Sequence, residues 1–149
     1  MNRVETPIVV DWGARYDHYC SDITRTFIDS ERQEEIWNIV LEAQKAAINT
    51  IAPGVKFADV DKAARDVITE YGYGDYFIHS TGHGFGLDIH ENPNLSYNSN
   101  GVLEENMIVT AEPGIYIPGE LGVRIEDDVL VKKNSEVLTS LDKKLDFSL

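Results

Sequence analysis

The stretch Asp11-Trp12-Gly13-Ala14-Arg15-Tyr16-Asp17-His18-Tyr19-Cys20-Ser21-Asp22-Ile23-Thr24-Arg25-Thr26-Phe27 decides how the rest of the chain is read. An apolar, β-branched run from Pro7 to Trp12 leads into it, and a second strand-like run extends from Cys20 to Ile28. Two such runs around a short polar segment predict a β-hairpin, with its turn near Tyr16-Asp17. That turn sets Asp11 directly opposite Asp22. Opposed side chains have Cβ atoms about 4.5–5.5 Å apart, close enough for two carboxylates to share a cation or bridge two.

The same device recurs downstream. Val109 and Ala111 lead into Glu112, Ile125 precedes Glu126, and Pro118-Gly119-Glu120-Leu121-Gly122 lies between them. A turn centred on Gly119 opposes Glu112 to Glu126. Any one of these acids reads most simply as an exposed strand or turn residue. Four of them inside burial-prone runs, where an unpaired charge is costly, read instead as ligands for hard or borderline divalent cations. His83, in Ser80-Thr81-Gly82-His83-Gly84, adds an imidazole to the set.

His79, His83 and His90 fall at helical spacing, but Gly82, Gly84 and Gly86 argue for strand, tight turn and strand. These glycines resemble a phosphate cradle only weakly, because no helix follows them. They fit better as points where backbone and substrate approach a metal closely. His18 reads as a surface turn residue.

Between the two acidic hairpins lie two helices. Ser30 with Gln33 forms a capping-box signature, and Ile36, Trp37, Val40, Leu41, Ala43, Ala47, Ile48 and Ile51 recur at helical spacing until Pro53-Gly54. A second helix is expected from Ala58 to Tyr71, with Gly72 as C-cap. From Phe77 the chain reads as short strands and turns: Phe77-Ile78-His79, Gly82 to Gly86, a polar loop from Glu91 to Gly101, Met107 to Glu112, and Gly122 to Val131. The order is α+β, in one domain over residues 1–149, with no internal repeat. Trp12, Trp37 and the tyrosines read as packing residues, with Tyr116 near enough to Glu112 to border a cleft. Cys20 reads as a small core residue.

Composition narrows the function. The net charge is −13 with 42% hydrophobic residues, which disfavours nucleic acid and anionic membranes as partners and is ample for a packed core. No apolar stretch approaches the roughly 20 residues that span a bilayer. Met1-Asn2-Arg3-Val4-Glu5-Thr6-Pro7 lacks the pattern of a signal peptide. The lone Cys20 excludes an internal disulfide framework, and a cytoplasmic location is expected.

The segments Asp11 to Phe27, His79 to Pro93, Thr110-Ala111-Glu112-Pro113-Gly114-Ile115-Tyr116 and Gly122-Val123-Arg124-Ile125-Glu126-Asp127 closely resemble the catalytic domain of the Xaa-Pro peptidases, prolidase and aminopeptidase P. These are pita-bread metallopeptidases, related to methionine aminopeptidase. The resemblance implies a pita-bread (creatinase/aminopeptidase-like) fold and two divalent metal ions, with Mn(II) or Co(II) expected. It further implies Asp11, Asp22, His83, Glu112 and Glu126 as ligands, Asp22 and Glu126 touching both ions. Glu112 would also handle the proton, His79 and His90 would face the substrate, and Arg124 would orient Glu126. The implied substrate is a proline-containing peptide cleaved at its Xaa-Pro bond. A methionine aminopeptidase-like enzyme is the alternative within the fold, although Cys20-Ser21-Asp22-Ile23-Thr24 and Glu112-Pro113-Gly114-Ile115-Tyr116 favour the proline-directed branch.

The resemblance departs at the start, where members carry further helices and strands and another active-site histidine. The expectation is therefore a partial catalytic domain truncated in its N-terminal half, weakly active alone. An uncovered apolar face on the first hairpin predicts a homo-oligomer or pairing with the missing half. A noncatalytic fragment that retains metal binding or assembly is the alternative from a different class.

Overall fold

The computed structural model describes residues 6–145. The first five residues of the Met1 to Pro7 segment lie outside the described range. Strands β1 (Ile8–Trp12), β2 (Arg15–Tyr16), β3 (Tyr19–Cys20) and β4 (Ile23–Phe27) form one interrupted hairpin. Its turn is Asp17-His18, both with positive φ of 46° and 75°, the pairing that a tight two-residue hairpin loop requires. The turn therefore falls one residue later than the sequence predicts, and Asp11 faces Thr24 instead of Asp22. Moving a turn by one residue moves the register by two, so Asp11 and Asp22 still share a face, as diagonal neighbours. The ladder lapses at Gly13-Ala14, where a Cβ on Gly13 would stand 2.0 Å from the Ser21 carbonyl.

Helix α1 (Glu31–Thr50) starts where expected, with Ser30 accepting from the Gln33 amide at 3.4 Å while the Gln33 side chain accepts from Asp29. Helix α2 (Phe57–Glu70) ends at Gly72, whose φ of +83° lets the Tyr73 amide return to the Ile68 carbonyl at 3.0 Å. The two helices pack on each other through Val40, Ala43, Ala47, Val60, Ala64 and Ile68, all buried. Together they cover Val109, Ala111, Val123 and Val129 of the strands. Each buried Val, Leu or Ile contributes about 1.5–3 kcal/mol.

The remaining strands are β5 (Gly82–Gly84), β6 (Glu91–Leu95), β7 (Ile108–Ala111), β8 (Gly114–Ile117), β9 (Leu121–Arg124), β10 (Asp127–Leu130) and β11 (Glu136–Val137). Five form an antiparallel sheet in the order β11-β10-β7-β5-β6, while β8 and β9 pair separately. Two expectations are corrected here. Phe77-Ile78-His79 is an irregular passage after a 3₁₀ turn at Gly74–Tyr76, because its carbonyls are taken by Arg65 on α2. The start of the expected polar loop is instead strand β6, zipped to β5 through Gly82–Leu95 and His83–Asn94.

The hairpin around Gly119 has the expected register. Gly114 faces Arg124 and Ile117 faces Leu121, and the same register resumes beyond a gap, with Ala111 opposite Asp127. Glu112 and Glu126 lie in that gap. The first hairpin is less uncovered than its sequence suggests, since Thr24, Arg25 and Thr26 of β4 are buried and β4 packs on β9 and β10. Several residues read as packing are exposed, among them Trp12 (41%), Tyr16 (87%) and Tyr97 (70%), because the hairpin tip and the β6 end project into solvent. Trp37 is core. Among the described residues no helix is long and apolar enough to cross a membrane.

Candidate metal centre

Asp22, Glu112 and Glu126 sit at interruptions of ladders. A residue inside a ladder spends its amide on the opposite strand, whereas at a gap the amide is free to bind elsewhere and the side chain can swing inward. The Glu112 amide donates to Thr81 at 2.7 Å, and the Glu126 amide donates to the Thr24 carbonyl at 3.1 Å. The Asp22 amide donates to Asp128 Oδ2 at 3.2 Å. Through these bonds three separate strand pairs are drawn to one point.

Asp22, His83 and Glu126 each bring a donor atom within 4.8 Å of the others. His83 Nε2 lies 3.8 Å from Asp22 Oδ2 and 3.3 Å from Glu112 Oε1. Its Nδ1 is 3.0 Å from the Gly84 carbonyl, which can only accept, so Nδ1 carries the proton and the Nε2 lone pair faces the carboxylates. Oxygen and nitrogen lone pairs this close repel unless a proton or a metal cation lies between them.

Asp11 is placed differently. It is half exposed, and its carboxylate accepts from Arg124 Nη2 at 2.5 Å, with no place in the Asp22–His83–Glu126 cluster. The expectation that every acid lies buried in its strand is corrected for Asp11, because β1 is the outer strand of its hairpin and Arg124 reaches over to it. Arg124 also donates to Thr24 Oγ1 at 3.2 Å and Tyr116 at 2.9 Å, and passes 3.9 Å from Glu112. The arginine thus links Asp11 to the cluster.

Burial and mutual repulsion raise the acids. Glu126 is pushed up to about 8 by burial first and by Glu112 second, against the Thr24 hydroxyl that donates to it at 2.5 Å. Glu112 is pushed up to about 7 by burial, opposed by Arg124 and by the Thr110 hydroxyl at 3.1 Å. Asp22 is raised by burial and by Asp11.

His79, His83, His90, Glu112 and Arg124 line one cleft of about 610 Å³, together with the polar Ser80, Glu91, Asn92 and Asn94. The rings of His83 and His90 are 4.4 Å apart. His79 is held on both nitrogens. Nδ1 is 2.8 Å from the Ser80 carbonyl, which fixes the proton there, and Nε2 accepts from the Tyr116 hydroxyl at 2.9 Å. Burial lowers the His79 pKa and keeps the ring neutral. Tyr116 is not itself among the lining residues but bonds two of them, His79 and Arg124, through its hydroxyl, and its ring lies over Gly114, where a Cβ would stand 2.6 Å from that hydroxyl. His18 is exposed as expected, and Cys20 is partly exposed, with its Sγ 3.7 Å from the Leu87 carbonyl and outside the cluster.

Several residues of the site were not singled out in the sequence. Thr24 and Thr110 hold Glu126 and Glu112, and buried Asp128, pushed up to about 7 by burial, holds the Asp22 amide. One signal was available: strand alternation puts Asp128 on the face of Glu126. Arg25 and Asp127 form a fully buried ion pair at 2.8 Å directly behind Glu126.

The profile of metallopeptidase family M24 matches residues 3–133. The chain is 54% identical over 142 residues to the Xaa-Pro dipeptidase of Pyrococcus furiosus, covering 93% of this chain and 41% of that protein. Among solved structures, the prolidase from Pyrococcus horikoshii OT3 superposes with a TM-score of 0.90 at 52% identity, over 93% of this chain and 41% of that one. The X-Pro aminopeptidase from Thermotoga maritima MSB8 gives a TM-score of 0.89 at 45% identity, over 91% and 40%. The expected pita-bread fold stands, and the chain spans about 40% of the length of these relatives.

Proposed function

Because this chain belongs to metallopeptidase family M24, we propose that it forms the metal-binding part of an Xaa-Pro peptidase, of the dipeptidase or aminopeptidase P type. The observation that carries the reading is the convergence of Asp22, His83 and Glu126 within 4.8 Å, with Glu112 3.3 Å from His83. The donor set fits divalent cations, since an unprotonated Nε2 facing buried carboxylates is unfavourable until positive charge enters. Asp22, His83, Glu112 and Glu126 would hold a pair of ions, Mn(II) by the hardness of the oxygen donors or Co(II) as the resemblance implies, and Asp11 would be a further ligand if freed from Arg124. Bound there, the ions supply a Lewis acid for a carbonyl oxygen and lower the pKa of a nearby water.

The chain's own residues do the rest. Glu112, on the cleft wall with Oε1 3.3 Å from His83, is placed to accept and return a proton at its carboxylate. His90, exposed beside His83, is free to donate to a substrate oxygen, whereas His79 must first exchange its bond to Tyr116 to do so. Arg124 orients Asp11 and stands near Glu112. A proline substrate suits such a cleft because its tertiary amide has no N–H to satisfy. Cytoplasmic residence and self-association belong to the same reading. The share of the relatives that is spanned favours a second reading, in which this chain by itself binds metal without completing catalysis.

The test is calorimetric titration of the chain with Mn(II) and Co(II), paired with assays on matched Xaa-Pro and Xaa-Ala peptides. Uptake of two ions per chain with Xaa-Pro cleavage supports the first reading. Uptake without cleavage supports the second, and no uptake removes both. Release of N-terminal methionine from peptides without proline would point to the methionine branch.

A further inference from the structure

Arg25 is fully buried and uses all five of its N–H groups. Nε donates to the Asp142 carbonyl at 3.0 Å. Nη1 donates to the carbonyls of Thr24 at 2.9 Å and Glu126 at 2.5 Å, and Nη2 to Asp127 Oδ1 and the Leu141 carbonyl, both at 2.8 Å. Asp127 is equally buried and equally occupied. Besides Arg25 it accepts from Gln44 at 3.0 Å and from the Thr139 hydroxyl at 2.6 Å, and it pairs with Lys143. Four of these partners come from residues 138–143, which lie beyond the stretch matched by the family profile.

Both members of the pair bear on Glu126. Asp127 is its chain neighbour, and Arg25 grips its carbonyl together with that of Thr24. The Thr24 carbonyl in turn accepts from the Glu126 amide, and the Thr24 hydroxyl donates to the Glu126 carboxylate. A buried ion pair holds its geometry only when its remaining donors and acceptors are satisfied. Without residues 138–143, Arg25 loses two acceptors and Asp127 two donors.

We propose that residues 138–143 are a strap that positions Glu126 for cation binding, with Thr139 and Lys143 as positioning residues acting through Asp127 and Arg25. The inference rests on the metal-binding reading above. Partners behind a ligand that fix its orientation are commonly worth about 10–100-fold in metal affinity.

The test uses the full chain carrying Thr139→Val, which removes the hydroxyl at nearly constant shape, Thr139→Ser, which keeps it, and Lys143→Met. Ser135→Ala serves as control, because Ser135 ties the preceding segment to the Ile48 carbonyl at 3.1 Å without touching Asp127. Mn(II) affinity is measured by calorimetry, and hydrogen exchange of the Glu126 amide is followed in metal-free protein, with circular dichroism to verify folding. Thr139→Val and Lys143→Met are expected to weaken Mn(II) binding by about tenfold or more and to speed exchange at Glu126. Thr139→Ser and Ser135→Ala are expected to leave both near wild type. Wild-type affinity and exchange in Thr139→Val and Lys143→Met would overturn the proposal, as would an equal loss in Ser135→Ala. If the wild-type chain itself takes up no Mn(II), the metal reading fails, and the Glu126 exchange rates still decide the strap.

Discussion

The two acidic hairpins follow the same pairing rule and differ in register. Around Gly119 the register is as expected, Gly114 facing Arg124 and Ala111 facing Asp127, and Glu112 and Glu126 occupy the gap between the paired arms. Around Asp17-His18 the register is displaced, and Asp11 faces Thr24. Gly119, with φ of +75°, announces its left-handed backbone in the sequence, whereas Asp17 and His18 adopt positive φ with side chains that rarely do so. The consequence is functional. The second hairpin delivers Glu126 to the cluster and brings Glu112 to 3.3 Å from His83, and the first delivers Asp22 and leaves Asp11 with Arg124 at the surface.

The sharpest way to break this contrast is to remove one acid at a time and count ions. Glu126→Ala is expected to abolish more than one equivalent of Mn(II) in calorimetric titration, because Glu126 belongs to the cluster with Asp22 and His83 and also feels the charge of Glu112. Retention of full stoichiometry would show that the gap in the second hairpin is not a ligand site. Within the first hairpin, Asp22→Asn should weaken binding more than Asp11→Asn, since Asp11 must leave Arg124 before it can coordinate. Equal losses would mean that Arg124 releases Asp11 at little cost.

The acids also set a pH dependence that the metal should reverse. Glu126 (about 8), Glu112 (about 7) and Asp128 (about 7) all lie above the ordinary carboxyl range of about 4, so at neutral pH the folded metal-free chain holds more protons than the unfolded chain. Stability from these groups is complete below about pH 4 and is lost as pH rises towards about 8. Thermal melts with a chelator present should therefore fall by several degrees between pH 5 and pH 8. Glu126→Gln should flatten that slope, and Mn(II) should oppose it. A chelated protein whose melting temperature rises across the window would contradict the assigned burial of these carboxyls.

The smallest effects concern the turns themselves. His18→Gly should stabilise the first hairpin by about 0.5–1 kcal/mol by relieving a positive φ, and Gly119→Ala should destabilise the second by about 1 kcal/mol or more. Urea midpoints measure both. Opposite signs at the two turns are the expected signature, and equal signs would remove turn conformation as the source of the register difference.

Much of the site was legible because strand parity is a local property. Asp11 and Asp22 share a face in either register, and His83 follows Gly82, where a Cβ would stand 2.0 Å from the Thr110 carbonyl, so the strands can close tightly beside the imidazole. Helices α1 and α2 were legible from Ser30, Gly72 and their apolar stripes. The strand at Glu91–Leu95 was missed because its residues are polar, and it is defined by pairing with β5 instead of by its own hydrophobicity. Asp128, Arg25 and Asp127 were missed for a related reason: a buried charge is recognisable only from its partners, and those lie roughly a hundred residues away along the chain.

By itself the sequence determined the donor types, their faces and the α+β order, since composition, parity and helix signals depend on neighbours within a few positions. Tertiary structure decided which acids meet. The gaps that free the amides of Asp22, Glu112 and Glu126, the arginine that holds Asp11 outward and the pair behind Glu126 all depend on contacts between distant segments. Such contacts form only when burial across the whole chain outweighs the cost of desolvating the charges they enclose.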